Sequence, residues 1–145
     1  MFEYFYFILG ILNNILLISI FLIVKFSEMS KLRVIGIVYM FLSVPAIFGI
    51  FIALQQDKPV QYVVFLFIFI AFLILEGIYD YILKIPFRKN WKLLIPFLIL
   101  YWSMNYGFVV MVWKNSVVQG GIMLGLFIIQ LIANIISHTK KRIAN

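Results

Sequence analysis

Apolar residues run through this chain in blocks too long and too uniform to be one face of a soluble helix. Five blocks, Phe5–Val24, Val34–Leu54, Tyr62–Leu83, Leu93–Trp113 and Val117–Ser137, are separated by the polar stretches Lys25–Arg33, Gln55–Gln61, Lys84–Lys92 and Lys114–Ser116. A hydrocarbon core of roughly 30 Å takes about 20 residues of helix, which is the length of each block. In lipid every backbone N–H and C=O must be satisfied within the chain, and barrel strands are shorter and alternate in polarity, so helix is the expected conformation. The pattern predicts an all-α integral membrane protein, a compact bundle of five transmembrane helices that takes in residues 1–145 as one domain. The first block has no Lys or Arg before it, is too long for a signal peptide and lacks a small-residue cleavage site, so it is expected to be a retained helix.

Composition strengthens that reading: the chain is 66% hydrophobic and 12% charged, where soluble domains run near about half and about a quarter. Cysteine is absent, which removes disulfides, thiolate metal sites and cysteine nucleophiles from consideration. The net charge of +7 would suit nucleic acid only if the basic residues formed one face, and instead they are divided among the loops. With five spans, Lys25, Lys31, Arg33, Lys84, Arg88, Lys89, Lys92, Lys140, Lys141 and Arg142 fall on one side, leaving Lys58 and Lys114 on the other. The positive-inside rule then puts the N-terminus outside and the C-terminus in the cytoplasm. The expected location is a plasma membrane or a bacterial or archaeal inner membrane, with lipids as the first partners.

Smaller signals fit this frame. Trp91 is expected at the inner boundary and Trp113 at the outer one, with Tyr4, Tyr6 and Tyr62 in the outer aromatic belt. The short Trp113–Ser116 connection, WKNS, makes the last two helices antiparallel neighbours. Gly121-x-x-x-Gly125 permits close backbone approach, with ordinary packing favoured over a dedicated dimer face. Pro45 and Pro96 are expected to disturb the hydrogen bonding of their spans.

Against so apolar a background, the stretch LILEGIYDYILK is conspicuous. Glu76 lies two turns before Lys84, roughly 12 Å inside the cytoplasmic boundary, and Asp80 roughly 6 Å inside it. Spacing of four puts Glu76, Asp80 and Lys84 on one side of the helix, with Tyr79 close by. Asp80 can neutralise Lys84 as a helix-end ion pair. Glu76 is deeper, and must be neutral, solvated by a cavity or paired with another helix. Candidate partners are Asn13 and Asn14, Ser43, Asn105, and Gln130 with Asn134, the last two sharing a face at i,i+4 and expected to look toward Glu76.

The chain lacks a Gly-rich phosphate loop, an H-E-x-x-H pair and a carboxylate cluster of the kind a divalent metal needs, and its one histidine, His138, belongs to a helix end. No cofactor is implied. Binding or transport of a cationic or amphipathic small molecule, with proton linkage through Glu76, is the expected function. Glu76, Asp80, Tyr79, Asn105, Gln130 and Asn134 would form its ligand-binding or proton-handling site. Two alternatives use the same residues differently. A non-catalytic subunit would dock a partner helix, or a second copy of itself, on them. A lipid- or isoprenoid-modifying enzyme would use Glu76 or Asp80 as proton donor and Lys84, Arg88 and Lys89 to hold an anionic headgroup.

Overall fold

The computed structural model describes residues 2–26, 29–79 and 90–144. They form α1 (Phe2–Phe26), α2 (Met29–Met40), α3 (Ser43–Gln55), α4 (Val60–Gly77), α5 (Trp91–Asn115) and α6 (Val117–Ala144), with no strand among the described residues. Five helical segments are long and apolar enough to cross a membrane: Phe2–Ile23, Arg33–Gln55, Val60–Gly77, Trp91–Asn115 and Val117–Ser137. The apolar blocks anticipated these segments to within a few residues, except that the third block runs on into residues 80–83, which lie outside the described residues.

The second segment consists of two helices because of Pro45. Proline has no N–H to give the Phe41 carbonyl, four residues back. Val44 N donates to that carbonyl instead, at 3.1 Å, and Leu42 N reaches Tyr39 O at 3.0 Å, so the chain tightens through residues 41–42 before the α-helical pattern resumes. Pro96 behaves differently. It sits in the second turn of α5, whose helix continues through it. Asn90 caps that helix, its side chain accepting from Lys92 N at 3.0 Å.

At the other end of α3, Lys58 N donates to Ala53 O and Asp57 N to Leu54 O, with Asp57 in the left-handed region at φ 50°. This pair of reversed bonds is a Schellman stop. It turns the chain directly into α4. Between α5 and α6 the only non-helical residue is Ser116, and the two helices pack side by side, as the short WKNS connection implied. The close approach needs Gly120, where a Cβ would lie 2.6 Å from the backbone of Trp113. Gly107 does the same for α4, its open side filled by the ring of Phe65.

Neighbouring helices close into a ring: α6 lies against α1 and α5, α5 against α4, α4 against α3, and α1 against α2 and α3. Polarity is distributed in reverse of a soluble protein. Ile8, Phe51, Phe67, Ile99 and Ile128 face outward, while Asn13, Asn14, Asn105, Gln130 and Ser137 are buried. Aromatic rings fill much of the interior along α1, α4 and α5, with Tyr62 edge-on to both Phe2 and Tyr6 at 5.0 Å and Phe69 edge-on to Phe108 at 5.3 Å. Two expectations need correction here. Tyr6 and Tyr62 are buried in this cluster and only Tyr4 of the three is exposed, because ring packing between helices outcompetes the interfacial position. Gly121 and Gly125 pack against none of the described residues, since a Cβ on either would meet nothing within 4 Å.

Candidate functional site

Each of the five apolar segments carries a buried or half-buried polar side chain, and hydrogen bonds join those of α1, α2, α5 and α6. On α1, Asn14 Nδ2 donates to the Gly10 carbonyl at 2.9 Å and approaches Met123 Sδ at 3.6 Å. Its Oδ1 accepts from Gln130 Nε2 of α6 at 2.7 Å. Gln130 Oε1 in turn accepts a short bond from the Tyr101 hydroxyl of α5. Beside this chain, the Tyr39 hydroxyl of α2 donates to Asn13 Oδ1 at 2.6 Å. Asn105, one turn beyond Tyr101, donates to the Tyr101 carbonyl at 2.9 Å.

The direction of the chain follows from its end. A backbone carbonyl can only accept, so Asn14 must point Nδ2 at Gly10 and Oδ1 at Gln130. Gln130 must then offer Nε2, leaving Oε1 for Tyr101, whose hydroxyl is obliged to donate. Each step is determined by the one before it. The Tyr39 hydroxyl donates to Asn13 Oδ1, an amide whose Nδ2 has no partner among the described residues to fix its orientation. Tyr101 has thus given away its single hydroxyl hydrogen, and what it can offer a further neighbour is a lone pair.

Glu76 is the charged member. It lies on the last turn of α4, half-buried with its Oε2 enclosed, and within electrostatic reach of the Tyr39 and Tyr101 hydroxyls. Just beyond it the helix widens into π-type geometry at residues 78–79, a local departure that recurs at functional sites. Tyr79 is buried there, but its hydroxyl donates to the Leu93 carbonyl at 3.0 Å and ties the end of α4 to the start of α5.

The residues expected to form the site are therefore placed unequally. Gln130 and Asn105 both bond to Tyr101, Asn105 within its own helix, and Glu76 lies within electrostatic reach of the same tyrosine. Gln130 is buried as expected, yet its partners are Asn14 and Tyr101 and not a residue of α4, because α6 packs on α1 and α5. Asn134 is half-buried one turn further on, its Oδ1 enclosed and without a hydrogen-bond partner among the described residues, as are Asn13 Nδ2 and Asn105 Oδ1. Asp80, Lys84, Arg88 and Lys89 lie outside the described residues.

Tyr39 and Tyr101 are the members that sequence reasoning passed over. Tyr101 lies deep inside its apolar segment, too far from either end for a tyrosine of the interfacial belt, whereas Tyr39, less than two turns from Arg33, carried no such signal. Among the described residues no group of three or more His, Cys, Asp or Glu could hold a metal ion. Comparison with protein-family models, with curated proteins and with solved structures found no match.

Proposed function

We propose that the chain is a small membrane carrier or receptor for a cationic or amphipathic solute, in which Glu76 exchanges a proton for the charge of the solute. The observation that carries this reading is the half-buried carboxyl of Glu76 in an apolar helix, close to a hydrogen-bonded network that joins the other four segments. Interhelical amide bonds stabilise a membrane bundle by about 0.6 kcal/mol on average, whereas an acidic group at depth costs a few kcal/mol to insert. Helix adhesion alone would be served by the amides and leaves Glu76 unexplained.

The hydrogen-bond directions supply the chemistry. A protonated Glu76 can donate to a lone pair, and a lone pair is what the Tyr101 hydroxyl retains. An ionised Glu76 attracts a cationic solute that enters the bundle, and the charge of that solute in turn favours loss of the proton. Binding of a cation and loss of the proton are then one exchange.

The bundle is further proposed to sit in a cell membrane with its N-terminus outside and C-terminus in the cytoplasm. Ten basic residues against two support that orientation. So does the clustering of Lys58 and Lys114, the two basic residues assigned to the outer side, around one cleft at one end of the bundle.

The test is binding of a lipophilic cation, tetraphenylphosphonium, to the purified protein across a pH series. Wild type should bind more tightly as pH rises, approaching about tenfold per pH unit for one displaced proton. Glu76→Gln should lose the pH dependence while remaining folded. An identical affinity and pH profile in the two proteins would remove Glu76 from the function and leave it a structural hydrogen-bonding residue.

A further inference from the structure

At the end of the bundle formed by the start of α1, the α3–α4 connection and the end of α5, a cleft of about 540 Å³ opens to the outside. Its walls carry both signs of charge. Lys58 Nζ pairs with Glu3 Oε1 at 2.7 Å, and both side chains stay partly accessible, at 25% and 31%. Asp57 and Lys114, both exposed, add one further charge of each sign. Tyr62 and Asn115 contribute neutral polar groups, the amide of Asn115 donating to the Tyr62 hydroxyl. Below Tyr62 the aromatic cluster of Phe2, Tyr6 and Phe108 separates this cleft from the Asn14–Gln130 network.

We infer that this cleft is a second binding site, selective for a zwitterion that carries an ammonium and a phosphate, as a phosphoethanolamine headgroup does. Two carboxylates and two ammonium groups are among the described residues that line it, so a simple ion of either sign meets repulsion as well as attraction. A zwitterion can set its phosphate against Lys58 and Lys114 and its ammonium against Glu3 and Asp57 without breaking the existing ion pair. The volume falls within the range of about 300–1,000 Å³ usual for small-molecule sites. Its position at the end of the apolar segments is also where lipid headgroups would lie. Such a ligand could come from a lipid or from solution. The inference is independent of proton handling by Glu76, which lies on the far side of the aromatic cluster.

Calorimetric titration of the detergent-purified protein with glycerophosphoethanolamine, inorganic phosphate and ethylammonium tests it. The zwitterion should bind at least about tenfold more tightly than either half alone. Asp57→Asn and Lys114→Gln, both at exposed positions, should each weaken it severalfold without lowering the melting temperature. Repeating the titration in nanodiscs with and without phosphatidylethanolamine identifies the source. Competition by the lipid supports a headgroup site, and undiminished binding supports a soluble zwitterion. Equal binding of phosphate or ethylammonium, absence of saturable binding by the zwitterion, or unchanged affinity in both variants would overturn the inference.

Discussion

Single residues separate packing from function most cleanly in the glycines and the amides. A methyl group at Gly120 would press on the Trp113 backbone across a one-residue turn, and backbone cannot rotate away. Gly120→Ala should therefore destabilise by about 1–3 kcal/mol, the usual range for overpacking, in thermal unfolding in detergent. At Gly121 the same methyl meets none of the described residues within 4 Å, so Gly121→Ala should be neutral or stabilising by up to about 1 kcal/mol through helix propensity. Among the amides, Gln130→Leu strands Asn14 Oδ1 and the Tyr101 hydroxyl in the interior and should cost about 1–3 kcal/mol. Asn14→Leu together with Gln130→Leu should cost less than the sum of the two single changes, because each alone leaves the other's polar atoms unpaired. Strict additivity in that cycle would mean that the bond between them contributes nothing.

Elements differ in how much of them the sequence disclosed. The apolar blocks marked the spans because length and hydropathy are properties of contiguous residues, and Pro45 marked the break in the second span because its missing N–H acts locally. The polar stretch Gln55–Gln61 marked where α3 ends, but the form of the stop was hidden, since the usual sign is glycine and here Asp57 takes the left-handed conformation. That gives a test of the element itself. Asp57→Gly should keep or raise the unfolding midpoint, whereas Asp57→Val, β-branched and ill-suited to φ 50°, should lower stability by about 1–2 kcal/mol. Neighbour relations were hidden for a different reason. Asn14 and Gln130 stand 116 residues apart, and a single sequence says which face of a helix is polar but not which helix it will meet. Tyr39 and Tyr101 went unread because tyrosine in a membrane chain is ambiguous between an interfacial anchor and a buried hydrogen-bond donor. The depth of Tyr101 within its apolar block resolves it only once its partner is known.

On the scale of the whole molecule, the proposal joins an apolar exterior, an interior hydrogen-bonded polar network, and one half-buried acidic group near it. Orientation is tested by reporters. One fused after Asn145 should read cytoplasmic and one inserted at Asp57 external, and a cytoplasmic reading at Asp57 would reject the five-span arrangement. The central claim is narrower: Glu76 gives up a proton when a cation binds. It is read most directly by titrating tetraphenylphosphonium calorimetrically in buffers of different ionisation enthalpy, which counts the protons released for each cation bound. Wild type should release up to about one proton near the pH at which Glu76 titrates, and Glu76→Gln none. The same proton release from Glu76→Gln as from wild type would contradict the claim.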